Sequence, residues 1–216
     1  MVRNFLVGAF VFFLFFNASA LAKTAILVPG LFAHPNSVGY DDLTLVLNQK
    51  GYDVLILNLR WADARFRFYE QQIHEQLSNI PMDDQTVVIA TSIGGFLTLA
   101  NLHEFQMGRL ILVSPAPFFD DIVDGAPYLA WNRAARWYFK LKDEKRLFSE
   151  AVAALDGLGI PTTVIYAKHD HFRNRDFAHQ LGVQLKNAMI LRSSGGHGVR
   201  NTQTRNLLIS HLNAVL

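Results

Sequence analysis

Ser92 stands at a sharp junction between a strand pattern and a helix pattern. Residues 85–90 form a short apolar, β-branched run that is typical of a buried strand, and apolar residues recur at helical spacing from residue 96. A serine at such a corner has a strained backbone and needs small neighbours two positions away, which Ala90 and Gly94 provide. The corner lifts the hydroxyl clear of the sheet and turns the first N–H groups of the helix towards any developing negative charge. The pattern predicts a nucleophile elbow; a serine that only caps the helix is the alternative.

Three further chemically suggestive stretches follow predicted strands. They are residues 30–32 (Gly-Leu-Phe), 168–171 (Lys-His-Asp-His) and 194–198 (Ser-Gly-Gly-His-Gly). Because the carboxyl ends of parallel strands meet at one edge of a sheet, we expect these stretches to lie near Ser92. The second stretch superficially resembles a metal cluster, but adjacent residues rarely point at one ion without further ligands, so we predict no metal site. The absence of cysteine excludes thiolate catalysis and Cys-based zinc sites.

The elements that must position these stretches alternate regularly along the chain. Apolar runs predict six strands, and helical spacing or terminating glycines predict helices between most of them. This order predicts an α/β fold with about six mostly parallel strands and helices on both faces of the sheet. The predicted strands are residues 24–28, 53–57, 85–90, 109–113, 162–166 and 188–191; the predicted helices are 41–49, 68–77, 96–106, 173–181 and 206–215.

From residue 24 to residue 216 the chain resembles a small member of the α/β-hydrolase family that lacks the first two strands of the full fold. The resemblance is carried by the elbow at Ser92, the acid Asp170 after the penultimate strand and the Gly-Gly-His stretch with His197 after the last one. It implies that Ser92 is the nucleophile and that His197 is the base that later protonates the leaving group. Asp170 would hold the His197 tautomer and stabilise the imidazolium.

The resemblance also implies two backbone donors for the oxyanion. One is the N–H of Ile93, the residue after the nucleophile, and the other is the N–H of Leu31, with Phe32 as the second choice. Pro29 replaces the histidine that often precedes the glycine in this family, which leaves a backbone donor available.

The acid has alternatives within the family pattern. In some members it follows the earlier strand, and Asp120 or Asp121 would then take the role of Asp170. Asp176 is a weaker candidate because it lies inside the next predicted helix.

Residues 115–158 contain no strand-like run and fall where family members place a lid. Tyr128, Trp131, Ala135 and Tyr138 are spaced as one face of a helix. Three interpretations remain open: a helix that packs its aromatic side chains on the domain, an apolar acyl-binding wall over Ser92, or a segment that attaches to an anionic membrane surface. For the second interpretation the pocket candidates are Phe32, Trp131 and Tyr138.

The length and composition favour one domain with a large core. Half of the 216 residues are hydrophobic and 18% are charged, and a net charge of +2 argues against a nucleic-acid partner. Residues 1–22 combine Arg3, an uncharged apolar stretch and small residues suited to cleavage, which predicts a signal peptide, with an uncleaved membrane anchor as the alternative. Residues 23–216 would then form the mature domain, in the periplasm or secreted.

These expectations combine into an exported serine hydrolase that cleaves a carboxylic ester or thioester of a small or lipid-like acyl group, without cofactor or metal. An amidase, a peptidase or an acyltransferase with the same triad is the first alternative. A non-catalytic binding module on the same fold is the second.

Overall fold

The computed structural model describes residues 23–31, 33–60, 66–101, 104–115, 152–153, 155–157, 159–170, 181, 184–185 and 188–216. Within them, six strands form one sheet in the order β2-β1-β3-β4-β5-β6. Every neighbouring pair runs parallel, so the predicted α/β architecture is confirmed. The strands are β1 (Lys23–Val28), β2 (Tyr52–Ile56), β3 (Val87–Thr91), β4 (Arg109–Val113), β5 (Thr162–Ala167) and β6 (Ala188–Ser193).

In the described part of the chain, four helices with defined bounds cover the two faces of this sheet: α1 (Tyr40–Gln49), α2 (Phe66–Ser78), α3 (Ile93–Asn101) and α4 (Thr202–Val215). One core lies under α2 and α3, where Ile73 and Leu97 pack with strand residues such as Leu112. The other core lies under α1 and α4, where Leu43 and Leu208 pack with the opposite face of the strands. Burial on both faces explains why β3 is a continuous apolar run with all five residues buried.

Two helices begin three or four residues earlier than their apolar spacing predicts, whereas α1 and α2 begin within two residues of the predicted starts. The spacing predicts a helix start at residue 96, but α3 starts at Ile93, directly after the elbow, and includes Gly94 and Gly95 in its first turn. The helix predicted from residue 206 starts at Thr202, because the Asn201 side chain accepts hydrogen bonds from the N–H groups of Gln203 and Thr204 and caps the first turn. Capping and close packing start these helices before the apolar pattern becomes visible.

Other predictions fall largely or wholly outside the described residues. These are the signal peptide at 1–22, most of the lid-like insert at 115–158 and most of the helix predicted at 173–181. In the part of the chain that the structure describes, none of the helices has the length and apolar character needed to cross a bilayer.

His211 forms a buried polar contact far from the elbow that should make stability depend on pH. Its Nε2 atom lies 2.9 Å from Thr163 Oγ1, and the residue is 7% exposed. Burial, with a smaller contribution from the Arg109 charge, lowers the pKa of His211 below its ordinary value. Below about pH 6.5 the unfolded chain therefore binds a proton that the folded chain excludes, and stability falls as the pH falls.

We expect wild-type protein to lose more free energy of unfolding than His211→Gln when the pH is lowered from about 7.5 to about 5.5, with a limiting slope of about 1.4 kcal/mol per pH unit for one proton. Glutamine keeps a hydrogen-bonding group beside Thr163 but does not titrate. Urea unfolding of both proteins at the two pH values measures the difference. Equal losses in the two proteins would contradict the prediction.

Candidate active site

Ser92 occupies the corner between β3 and α3 in a left-handed backbone conformation, with φ of 54°. Its N–H donates to the Val113 carbonyl of β4 at 3.0 Å, and its own carbonyl accepts from the Gly95 N–H at 2.9 Å. A residue with a β-carbon pays on the order of 1 kcal/mol for this conformation. The hydrogen bonds on both sides keep the strained corner in place.

The loop after β1 packs directly on this corner because two glycines allow it. A β-carbon on Gly30 would lie 2.9 Å from Ser92 Cβ and 3.2 Å from the Thr91 carbonyl oxygen. A β-carbon on Gly94 would overlap the Pro29 carbonyl. Glycine at both positions therefore sets the distance between the β1 loop and the serine.

The Ser92 hydroxyl is hydrogen-bonded to a histidine that is in turn hydrogen-bonded to a carboxylate. Ser92 Oγ lies 2.8 Å from His197 Nε2, and His197 Nδ1 lies 2.8 Å from Asp170 Oδ2. The Asp170 side chain is 2% exposed, whereas the His197 side chain is 22% exposed. With the proton on Nδ1 donated to the carboxylate, Nε2 is free to accept the serine proton. The structure thus brings together the three side chains that the sequence singled out, in an arrangement that can activate a serine.

The acid is held against the histidine loop by backbone hydrogen bonds. Asp170 follows β5, and the preceding residues Lys168 and His169 donate their N–H groups to the carbonyls of Ser193 (2.8 Å) and Gly195 (3.0 Å). The two loops therefore run side by side, and this pairing brings the carboxylate to the imidazole.

The histidine loop is anchored on the start of α4. Ser193 Oγ accepts from the Gly195 N–H at 3.0 Å, and Thr204 Oγ1 donates to the Gly196 carbonyl at 2.7 Å. A β-carbon on Gly195 would overlap the Asn201 side chain that caps α4. The glycines before His197 thus let the loop pack tightly on the helix end.

Sequence reasoning did not identify Ser193, Thr204 or Ser114 as residues around this site. Asn201 carried a usable signal, since an asparagine directly before a helix is a favoured N-cap. The three hydroxyl residues stood out less: Ser193 bonds two residues along its own loop, Thr204 bonds Gly196 eight residues earlier, and Ser114 bonds Gly198 84 residues later.

The two predicted oxyanion donors belong to the two segments that pack together at the elbow. Ile93 is the first residue of α3, so its N–H is one of those that has no acceptor within the helix. Leu31 follows Gly30, which packs on Ser92. Leu31 is 36% exposed. Their donor role remains a prediction.

The other candidate residues lie outside the described part of the chain. They are the pocket candidates Phe32, Trp131 and Tyr138 and the alternative acids Asp120, Asp121 and Asp176. His171 of the superficial metal cluster also lies outside. The described residues contain no group of three His, Asp or Glu side chains that could hold a metal ion.

A buried phenol lies near Thr91 and Gly30, close to the corner. Tyr40, at the start of α1, is 2% exposed, and its burial raises the pKa of the phenol above the ordinary value. The Thr91 side chain, the Gly30 backbone and the Arg200 charge oppose this rise. The phenol therefore stays neutral at physiological pH, and it lies near Thr91, the residue before Ser92, and near Gly30.

No family model matches the sequence, and no curated protein matches it; solved structures do. The mouse alpha/beta hydrolase domain-containing protein 10 is 13% identical with a TM-score of 0.67, and the match covers 89% of this chain and 88% of that one. The esterase EaEST from Exiguobacterium antarcticum is 14% identical with a TM-score of 0.63, over 89% of this chain and 91% of that one. A thioesterase domain from the curacin biosynthetic pathway is 15% identical with a TM-score of 0.60, over 89% and 92%. At such low identities the likeness establishes the fold and leaves the chemistry to the site itself.

Proposed function

The chain has the α/β-hydrolase fold, and from the side chains that this fold brings together we propose that it is a serine hydrolase that cleaves a carboxylic ester or thioester. The observation that carries the proposal is the pair of hydrogen bonds, 2.8 Å each, that link Ser92 Oγ to His197 Nε2 and His197 Nδ1 to Asp170 Oδ2. A serine in a strained corner with no catalytic role would not need a base and a buried acid aligned behind it.

In the first half-reaction, Ser92 Oγ attacks the acyl carbon as His197 Nε2 takes the hydroxyl proton. The imidazolium that forms is stabilised by Asp170, whose carboxylate is almost completely shielded from water. The Ile93 and Leu31 N–H groups bind the oxyanion. When the tetrahedral intermediate collapses, His197 gives the proton to the leaving alkoxide or thiolate, and the acyl group stays on Ser92.

In the second half-reaction, water replaces the leaving group. His197 removes one proton from the water as its oxygen attacks the acyl carbon, and the same oxyanion donors act again. Collapse of the second intermediate breaks the acyl–Oγ bond, returns the proton to Ser92 and releases the carboxylic acid. No cofactor or metal enters either step.

Ester and thioester substrates are favoured by the structural neighbours, which include an esterase and a thioesterase domain. Leu31, which follows Gly30 in the loop that packs on the serine, is 36% exposed and offers an apolar surface for the acyl group. We propose that Phe32, Trp131 and Tyr138 extend this apolar surface, so that the acyl group is small or lipid-like. We also propose export of the protein, on the basis of the apolar N-terminal residues 1–22.

Two measurements on purified mature protein test the function. A fluorophosphonate probe should label Ser92 covalently, as read by mass spectrometry of the labelled peptide. A panel of p-nitrophenyl esters of graded chain length, with matching thioesters and anilides, should show turnover of the esters or thioesters. If folded protein neither labels nor turns over any member of the panel, the binding-module alternative is favoured. If anilides are the better substrates, the amidase alternative is favoured.

A further inference from the structure

Ser114, directly after β4, has an unusual backbone for a residue with a side chain. Its φ is 46°, and among the described residues only Ser92 shares a positive φ without being glycine. Ser114 is also completely buried. Glycine would adopt this conformation without the cost of on the order of 1 kcal/mol that a β-carbon brings. A strained, buried polar residue calls for a role for its side chain.

The end of β4 contacts the segments that carry all three members of the triad. Val113 accepts the N–H of Ser92, and Ser114 donates its own N–H to the Ile165 carbonyl of β5, the strand that leads to Asp170, at 2.6 Å. Ser114 Oγ accepts the N–H of Gly198, the residue after His197, at 3.0 Å. Two consecutive residues therefore link the nucleophile corner, the acid strand and the histidine loop.

The Gly198 peptide is confined from two sides. Gly198 has φ of 67°, and a β-carbon there would lie 3.2 Å from Thr91 Cγ2. Its N–H donates to Ser114 Oγ, which holds the backbone directly after His197. On the other side of His197, Ser193 and Thr204 hold Gly195 and Gly196. Ser114 holds the residue directly after the histidine, whereas the Arg205 guanidinium holds the next one by donating to the Val199 carbonyl at 3.1 Å.

We propose that Ser114 is a positioning residue for His197. Its hydroxyl oxygen holds the Gly198 N–H and thereby keeps His197 Nε2 at 2.8 Å from Ser92 Oγ and Nδ1 at 2.8 Å from Asp170 Oδ2. The role rests on the proposed serine hydrolase function and adds a residue that never touches the substrate. Small displacements of a catalytic group can lower rates by about 100-fold, so one lost anchor is enough to matter.

Two substitutions separate positioning from simple stability. Ser114→Ala removes the hydroxyl but keeps a β-carbon on the left-handed backbone. Ser114→Gly removes the hydroxyl and also relieves the backbone strain. Thr163→Val is the matched control, since it removes another buried hydroxyl, whose partner His211 lies outside the triad. Thermal unfolding of all three variants shows how much of each protein is folded at the assay temperature.

We expect kcat for an activated ester to fall by about 10- to 100-fold in both Ser114 variants, with KM within about twofold of wild type, because binding is intact and the base is misplaced. The rate for Thr163→Val should stay within about twofold of wild type. The low-field NMR signal of the His197 Nδ1 proton should broaden or shift in folded Ser114→Ala and Ser114→Gly and stay unchanged in the control. This signal needs no turnover to be read.

The positioning role is wrong if folded Ser114→Gly keeps kcat within about twofold of wild type and an unchanged Nδ1 proton signal. It is also wrong if the loss only follows the fraction of unfolded protein. A wild-type rate in Ser92→Ala would instead overturn the proposed function, and the NMR signal would still decide whether Ser114 orients His197. The two failures are therefore distinguishable.

Discussion

Ser92→Ala is expected to lower kcat for p-nitrophenyl butyrate by about 10⁶-fold, the loss typical when the nucleophile of a serine hydrolase is removed. Alanine keeps the β-carbon on which Gly30 packs, and it disfavours the left-handed backbone conformation about as much as serine does. The fold should therefore be unchanged. The residual rate would come from backbone donors and substrate binding alone.

The matched control is Ser210→Ala, which changes an exposed serine in α4. It should retain the full wild-type rate and fluorophosphonate labelling, whereas Ser92→Ala should lose both. Both variants should have the circular dichroism spectrum and the thermal unfolding midpoint of wild type. A Ser92→Ala rate within about tenfold of wild type, in protein purified away from host esterases, would remove Ser92 from the mechanism.

Asp170→Asn is expected to lower kcat by about 10⁴-fold, as loss of the acid does in serine hydrolase triads. The amide of asparagine can donate to His197 Nδ1 across the present 2.8 Å contact. That hydrogen bond favours the tautomer with the proton on Nε2, which can no longer accept the proton of Ser92. The geometry would remain while the proton transfer fails, so KM should change little.

The controls for this substitution also decide between the candidate acids. Asp41→Asn changes an exposed carboxylate in the first turn of α1 and should leave the rate unchanged. Asp120→Asn, Asp121→Asn and Asp176→Asn should likewise keep rates within about tenfold of wild type. If one of these three variants shows the large loss of rate and Asp170→Asn does not, that aspartate and not Asp170 is the acid of the triad.

The resulting picture is of a site whose precision depends on backbone contacts around three loops. Ser92 is set by glycines at positions 30 and 94, Asp170 by pairing of residues 168 and 169 with the histidine loop, and His197 by hydroxyl groups on both sides. A hydrophobic core on each face of the sheet provides the rigid base on which these loops rest. This division explains why single hydroxyl groups outside the triad are expected to affect catalysis.

Local sequence pattern was sufficient for the strands and, together with the family resemblance, for the triad candidates. A strand buried on both faces is an uninterrupted apolar run, so β3 and β4 are visible without any knowledge of their neighbours. Parallel strands collect their carboxyl ends at one edge, and so Ser92, Asp170 and His197 could be grouped although 105 residues separate the serine from the histidine.

The helix starts and the supporting residues were decided by tertiary contacts. The start of α3 depends on how closely Gly94 approaches Pro29, a distance that apolar spacing does not encode. Ser114 reads as an ordinary serine before Pro115, because its importance comes from a left-handed backbone and from a partner 84 residues away. Neither property leaves a periodic signal in the chain.

Ser92, Asp170 and His197 were thus candidates because of their residue types and positions after buried strands, which are local properties of the sequence, and because of the family resemblance. Their 2.8 Å contacts, and the part that Ser114 plays beside them, were decided by the tertiary structure alone. The physical reason is that hydrophobic burial specifies elements through composition and period, whereas hydrogen-bonded loops depend on where those elements meet in space.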